Sequence, residues 1–597
     1  MMLNDRIRNV AIIAHVDHGK TTLVDEMLKQ SGSLRHGAEA QERIMDNLDL
    51  ERERGITIAA KNCSVLWNNV KINIVDTPGH ADFGGEVERA LMMVDGAILL
   101  VDAAEGPLPQ TRYVLSKAME KGLAMIVCIN KIDRGDARPD KVLNEIYDLF
   151  IDLDADEERL DFPVLYTIGR EGVARREVDG SETDLRLLFD TLLHTVPAPQ
   201  FDPEEPFQML VANLGYSEFL GRLAIGRVSN GTVRSYDNLA RINRNGEQVP
   251  LRVLNLQTYE GAKLREVEQA TAGDIIILAG IDEVEIGDTI CNLAAPKALP
   301  RVHVDEPTVS MTFRVNTSPF AGKEGRYLQA PRIEERLKKE TLYNVGLKVE
   351  AAPCGDAFVV KGRGEFQLAI LIETMRREGF ELAVGRPTVI FREENGKVLE
   401  PIEHLLVDCA EAYLGIVTEK LASRKGRMVH ISGGGTGRVR IEFSVPSRSL
   451  IGYRNQFLTD TRGTGTLNSY LEGYEEFRGD FPSRLTGSLV ADRFGEAVPY
   501  AIYNLEPRGR IFVLPGDKVY PGMIVGEHSR DSDLYVNICR TKKLSNMRAA
   551  GRDENVILSP VTPMTLERAI AYIRDDELVE VTPKSIRLRK MELRPSK

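Results

Sequence analysis

The stretch Ala14-His15-Val16-Asp17-His18-Gly19-Lys20-Thr21-Thr22 follows the apolar run Val10 to Ile13 and opens the helical pattern Leu23 to Leu28. Gly-Lys-Thr therefore sits at a strand–loop–helix turn, where a phosphate-binding loop belongs. The first N–H groups of a helix lack intrahelical partners and the helix dipole adds partial positive charge there, so phosphate oxygens complete the hydrogen bonding. Lys20 would reach the terminal phosphates and Thr21 a Mg²⁺ ion. The first glycine of the usual pattern is Ala14 here, and short Gly-Lys-Thr strings also open ordinary helices. Taken alone, the loop leaves both readings open.

The chain downstream decides between them. Apolar runs at Lys71 to Val75, Ala97 to Val101 and Ala124 to Ile129 alternate with helical patterns at Gly85 to Met93, Thr111 to Glu120 and Asp140 to Phe150. That alternation predicts a doubly wound parallel sheet with ligands at the carboxyl ends of its strands. Asp76-Thr77-Pro78-Gly79-His80 and Asn130-Lys131-Ile132-Asp133 both close strands. Asp76 can hold Mg²⁺ through water, and the Gly79 N–H can meet a γ-phosphate. Thr57, at the end of the polar stretch from Ser31, can ligate Mg²⁺ only when that stretch folds over the phosphates, which makes it a candidate switch. The Asp133 carboxylate can accept two hydrogen bonds from the N1–H and N2–H₂ edge of guanine. Adenine lacks that donor pair and would leave a buried carboxylate unpaired. Each motif alone is an ordinary turn or strand exit, but four in the correct order after the expected elements point to a GTP site.

These residues carry a resemblance. His15 to Thr22, Arg54-Gly55-Ile56-Thr57-Ile58, Asp76 to Phe83 and Asn130 to Asp133 are similar to the motifs of the translational GTPases. The resemblance implies that Asp17, His18, Gly19, Lys20, Thr21, Thr22, Gly79, Asn130, Lys131 and Asp133 contact GTP or GDP, and that Thr21, Thr57 and Asp76 hold Mg²⁺. It matches His80 to the histidine that orients the attacking water once the factor docks on the ribosome, beside Lys20, with Val16 and Ile56 as an apolar gate. No arginine in the motifs is an obvious finger in cis, so slow intrinsic turnover and outside activation are expected. One departure stands out: the family usually carries Ser-Ala after the fifth strand, whereas this chain reads Tyr166-Thr167-Ile168-Gly169. Backbone N–H groups would then have to serve.

At 597 residues, with 43% hydrophobic and 28% charged residues, the chain reads as a multidomain globular protein. No stretch is apolar enough to span a membrane, and Met1 to Arg8 lacks the apolar core of a signal peptide. Six scattered cysteines, Cys63, Cys128, Cys291, Cys354, Cys409 and Cys539, fit a reducing cytoplasm without structural zinc. A net charge of −12 argues against indiscriminate coating of nucleic acid.

The expected fold is multidomain α/β and β: a P-loop doubly wound GTPase domain (1–200), a β-barrel (201–302), two ferredoxin-like α+β modules (303–390 and 391–480) and a mainly β C-terminal domain (481–597). Proline-rich Val196 to Pro206 marks the first boundary, and β-α-β-β-α-β patterns give the two modules. The C-terminal region is read as strands at Val498 to Leu505, Ile511 to Leu514 and Leu578 to Arg589, with a helix at Leu566 to Ile573. Its run Arg540 to Arg548 concentrates positive charge. A charge run is commonly a solvated loop; if this one meets RNA, Lys542, Lys543 and Arg548 would bind phosphates in a salt-sensitive way, and the same applies to Arg587, Arg589 and Lys590.

The C-terminal stretch, with Gly509 to Leu514 and Asn546 to Gly551, resembles the BipA/TypA branch of the translational GTPases, as do Glu306 to Gly325 and Arg363 to Arg386, so the resemblance covers essentially the whole chain. Elongation factor G carries an extra domain between its ferredoxin-like modules, where this chain has only Gly385 to Asn395. The resemblance implies a cytoplasmic, monomeric, ribosome-associated GTPase acting in large-subunit maturation and under cold or stress, with ribosomal RNA and aminoacyl-site tRNA as partners and no membrane. A LepA-like factor and a nucleotide-gated ribosome-binding scaffold with incidental hydrolysis are the alternatives. If Asp133 reads the base, Asp133→Asn will shift preference from guanosine toward xanthosine nucleotides in a competition binding assay; an unchanged preference would reopen the choice of base.

Overall fold

The computed structural model describes residues 1–15, 17–32, 51, 53, 61–77, 84–153, 155–217, 219–281, 283–301, 306–344, 346–352, 355–433, 437–481, 484, 486–541, 558–561 and 563–593. The chain forms two compact units, Met1–Asp305 with Leu342–Gly346, and Glu306–Thr341 with Leu347–Lys597.

The first unit begins with a seven-stranded sheet. Its elements are β1 (Ile7–Ala14), α1 (Lys20–Gln30), β2 (Lys61–Trp67), β3 (Val70–Asp76), α2 (Gly84–Leu91), β4 (Gly96–Asp102), α3 (Pro109–Glu120), β5 (Ala124–Asn130), α4 (Pro139–Ile151), β6 (Val164–Ile168), β7 (Val173–Arg175) and α5 (Arg186–Thr195). The strand order is β2-β3-β1-β4-β5-β6-β7. β3, β1, β4, β5 and β6 run parallel, and β2 and β7 are antiparallel edges. Parallel strands are covered on both faces, so they read as unbroken apolar runs. Ala11, Ile13, Leu99, Val101, Val127 and Ile129 bury one face against α2, α3 and α4. Val10, Ile12, Ile98, Leu100, Ile126 and Cys128 bury the other against α1 and α5. The ends of β1, β3, β4 and β5 therefore open on one edge of the sheet, the site predicted for ligand.

A curled antiparallel sheet follows, with strands Gln208–Ser217, Gly221–Asn230, Asn238–Ile242, Gln248–Arg252, Asn255–Glu260, Lys263–Glu266, Ile275–Ala279 and Thr289–Asn292 around Met209, Val211, Val228, Leu239, Ile276 and Ile290. This is the barrel. It is fastened to the first sheet by polar contacts at several points: Lys71 Nζ lies 2.8 Å from Asp274, Arg227 Nη1 2.8 Å from Asp95, and Asn9 Nδ2 donates to the Gly273 carbonyl at 3.0 Å.

In the second unit, Val309–Val315, Lys348–Ala351, Ala357–Gly362 and Leu382–Val384 form a sheet backed by helices Ala330–Tyr343 and Glu365–Arg377, a ferredoxin-like arrangement. A second such module pairs Lys397–Ala410, Arg427–Gly433, Arg438–Pro446 and Thr466–Glu476, with helices Leu414–Ser423 and Tyr453–Asp460. The chain's last hairpin, Glu577–Val581 and Ile586–Lys590, then extends the first module's sheet, placing Leu382 opposite Val581 and Val384 opposite Val579. Leu382, Ala383 and Val384 are all fully buried, so this strand needs a neighbour on its open edge. Met523–His528, Ser488–Ala491 and Leu534–Val536 continue the same sheet.

Three expectations are corrected here. Val498 to Leu505 is not a strand: Pro499–Leu505 is a helix with Pro499 in its first turn, where a missing N–H costs nothing. Arg587, Arg589 and Lys590 do not face RNA. Their strand lies between two others, so both of its edges are paired, and their side chains are engaged within the protein. Arg587 pairs with Glu324 and with Glu580 at 3.2 Å, Arg589 is 2% exposed and donates to Thr317 at 3.2 Å, and Lys590 meets Asp576 at 2.8 Å and Glu577 at 3.0 Å. Ile511 to Leu514 contributes only its first residue to a strand, Gly509–Ile511. Among the described residues no helix is long and apolar enough to cross a membrane. Lys542, Lys543 and Arg548 lie outside the described residues.

The seam between the hairpin and the first module is held by a buried carboxylate. Glu580 accepts from Asn316 Nδ2 at 3.1 Å, Ser318 Oγ at 2.8 Å, Tyr520 OH at 2.6 Å and Arg587 at 3.2 Å. Burial, followed by the neighbouring Glu580 charge, pushes the Tyr520 phenol well above its ordinary value, so it stays a donor. Glu580→Ala strands these donors without water, and chemical denaturation should show a loss of about 3 kcal/mol or more. A loss under about 1 kcal/mol would mean that water reaches the seam.

Candidate functional site

The phosphate loop is shaped by its own sequence. Gly19 has φ +92°, a left-handed conformation that side chains rarely adopt, and a Cβ there would lie 2.5 Å from Asn130 Nδ2. Glycine is thus required on two counts. Thr21 and Thr22 follow in the first turn of α1, which Leu23, Val24, Met27 and Leu28 anchor beneath the sheet.

Lys20 is 8% exposed. A buried ammonium needs an anion, and Asp76, at the end of β3 and 1% exposed, lies 2.7 Å from it. Lys20 also donates to the Thr77 carbonyl, and Thr77 Oγ1 donates to the Ile12 carbonyl at 2.8 Å. The ends of β1 and β3 are thereby closed over one another. Thr21 and Asp76 supply a hydroxyl and a carboxylate, hard oxygen donors of the kind Mg²⁺ prefers, and Lys20 already holds Asp76 at the phosphate-facing edge. The donor set fits that ion.

The base side is built around Asn130. Its Nδ2 donates to the His18 carbonyl at 2.8 Å, while its Oδ1 accepts from the Gly169 N–H at 2.9 Å and from Thr167 Oγ1 at 3.1 Å. One side chain thus ties the phosphate loop to the loop after β6. Ile168 and Gly169 offer no hydroxyl, and the Gly169 backbone N–H makes the contact to Asn130 instead. Lys131 has φ +61° and donates to the Asp17 carbonyl at 2.5 Å. Asp133 is about a third exposed, with Arg170 at 3.7 Å.

Asp102, the last residue of β4, and Glu105, on the loop after it, were missed in the sequence although both lie at the same sheet edge. Asp102 is fully buried and receives Lys131 Nζ at 2.9 Å, Arg134 Nη1 at 3.2 Å and the Ala104 N–H at 2.8 Å. Burial opposes charge on Asp102, but the Lys131 hydrogen bond and the Ala104 N–H outweigh it and hold the carboxyl below the usual range.

The structure thus brings Asp17, His18, Gly19, Lys20, Thr21, Thr22, Asp76, Asn130, Lys131 and Asp133 to one edge of the sheet. Val16, Ile56, Thr57, Gly79 and His80 lie outside the described residues.

Comparison with known proteins gives four family matches in chain order. These are the Elongation factor Tu GTP binding domain over residues 5–198, Elongation factor G domain 2 over 206–293, the Elongation factor G C-terminus over 397–485 and the TypA/BipA C-terminal domain over 486–595. Curated relatives named "Large ribosomal subunit assembly factor BipA" include one from Escherichia coli, 50% identical over 590 residues, spanning 99% of this chain and 97% of that one. Another is from Synechocystis sp., 50% identical over 98% of each chain. A third, from Bacillus subtilis, is 48% identical over 99% of this chain and 97% of that one. A crystal structure of a Thermus thermophilus protein aligns with a TM-score of 0.56 at 18% identity, covering 80% of this chain and 98% of that one, a likeness of fold.

Gly19→Ala forces a left-handed conformation and a clash with Asn130. GDP affinity, read by equilibrium titration, is expected to fall at least about tenfold while the circular dichroism spectrum is kept. Unchanged affinity would show that the loop's shape does not govern binding.

Proposed function

Since the chain belongs to the BipA/TypA family of translational GTPases, we propose that its GTP hydrolysis is switched on by the ribosome and serves large-subunit assembly. The enzyme is a GTP phosphohydrolase. The observation that carries the reading of the site is the convergence of Lys20, Asp76 and Asn130 on one sheet edge, with Lys20 2.7 Å from Asp76 and Asn130 2.8 Å from the His18 carbonyl.

In this reading Lys20 leaves Asp76 to neutralise the β- and γ-phosphates, and the N–H groups of Asp17 to Thr22 cradle them. Thr21, Thr57 and Asp76 would hold Mg²⁺, which when bound would supply positive charge beside the phosphate oxygens. Gly79 and Thr57 sense the γ-phosphate, so the polar stretch closes with GTP and relaxes after hydrolysis. His80 orients the water and takes part only when the Val16–Ile56 gate opens. Asn130, Lys131 and Asp133 read guanine, and the Gly169 backbone N–H holds the Asn130 carboxamide in place.

The proposed domain division is 1–200, 201–302, 303–390, 391–480 and 481–597. The match to the TypA/BipA C-terminal domain favours this branch over a LepA-like factor. Ribosomal RNA, contacted in part by Lys542, Lys543 and Arg548, and aminoacyl-site tRNA are the proposed partners of a cytoplasmic monomer, with a role under cold or stress.

His80→Ala should bind GTP like the unsubstituted chain but lose most of its ribosome-stimulated turnover, on the order of a hundredfold or more for a residue that positions the nucleophile. Retained stimulation would remove His80 from catalysis.

A further inference from the structure

The loop after β4 makes a contact that the nucleotide reading does not use. His18 lies in the phosphate loop with its side chain fully buried. Its Nδ1 is 3.3 Å from the Asp102 N–H and 3.4 Å from the Leu100 carbonyl, and its Nε2 is 3.6 Å from Glu105 Oε2. The Asp102 N–H can only donate and the Leu100 carbonyl can only accept, so the contacts at Nδ1 do not by themselves fix the tautomer; the form in which Nδ1 accepts from Asp102 and Nε2 carries the proton is the one that also suits the Glu105 carboxylate. Among the described residues no hydrogen-bond partner is found for Nε2 within ordinary distance, so the Glu105 carboxylate is the acceptor nearest to that proton.

Glu105 is itself fixed on its backbone side. Its N–H donates to Asp102 Oδ1 at 3.3 Å, its carbonyl accepts from Arg138 Nη2 at 3.2 Å, and the adjoining Ala104 carbonyl accepts from Arg138 Nε at 2.8 Å. The interaction with His18 is the leading reason that the Glu105 carboxyl sits below the ordinary glutamate range, ahead of the opposing effect of burial. The His18 carbonyl meanwhile accepts from Asn130, so residue 18 is gripped at its backbone by the base loop and at its ring by the loop after β4.

We propose that Glu105 is a positioning residue for nucleotide binding, fixing the buried His18 imidazole and through it the backbone of the phosphate loop. The proposal rests on the reading of Asp17 to Thr22 as the phosphate cradle and adds a determinant outside it. N–H groups that must converge on phosphate oxygens lose affinity when their loop is free to rotate, so loosening His18 should speed nucleotide escape without unfolding the domain. Glu105 is about half exposed, so water screens part of the interaction and the effect is moderate.

The test is the dissociation rate of mant-GDP from the full chain. Glu105→Ala is expected to release it about fivefold faster, the upper end for a part-exposed charged contact. Glu105→Gln keeps an oxygen facing Nε2–H and should return the rate to within about twofold of the unsubstituted chain. Glu120→Gln, which removes a charge paired with Lys117 on α3, should leave it unchanged. The melting temperature without nucleotide should be equal in all four proteins. A wild-type rate in Glu105→Ala, no restoration by Glu105→Gln, or a faster rate accompanied by a lowered melting temperature would overturn the proposal. Failure of the unsubstituted chain to hold mant-GDP would instead overturn the phosphate-cradle reading, and this proposal with it.

Discussion

The carboxamide of Asn130 is the contact on which the nucleotide edge depends. It is buried at the end of a parallel strand and gives its donor to the His18 carbonyl and its acceptor to the Gly169 N–H. Without it, phosphate loop and base loop would be two separate turns at the ends of β1 and β5. With it they share one geometry, and Gly19 must be glycine because the carboxamide fills the space a side chain would need. A buried amide with a missing partner costs about 1 to 3 kcal/mol, so the arrangement is strongly favoured over one in which either loop moves alone.

The rest of the first unit protects that edge. Apolar runs covered on both faces keep the strand ends in register, and the barrel is fastened by Lys71–Asp274 and Arg227–Asp95 to the strands that carry Asp76 and to the turn before β4. In the second unit the same logic acts at a sheet edge: the strand Leu382–Val384 is apolar on both faces, and the chain's last hairpin covers it. The C-terminal region and the first ferredoxin-like module therefore share one sheet and cannot be treated as independently folded parts.

Much of this was legible in the sequence because the signals are local. Val10 to Ile13, Ala97 to Val101 and Ala124 to Ile129 are runs of the kind a doubly buried parallel strand needs, Asn-Lys-x-Asp follows one of them directly, and Gly-Lys-Thr comes after another with five residues between. Long-range partners carry no such mark. Nothing near Leu382 announces that it will pair with Val581, and nothing near Arg587 shows that Glu324 and Glu580 await it. Val498 to Leu505 reads as a strand by apolar content, whereas Pro499 within it, the true signal, marks a helix start. Asp102 and Glu105 escaped notice because their partners, Lys131 and His18, lie about thirty and ninety residues away along the chain.

The central claim is that this sheet edge hydrolyses GTP under control of the ribosome. It is tested most directly by GTP turnover of the purified chain alone, with isolated large subunits and with assembled ribosomes, across a salt series. Slow turnover alone, strongly stimulated by ribosomal particles and lost as salt rises, is the predicted result. Turnover indifferent to every particle would contradict the account and leave nucleotide as a determinant of shape only.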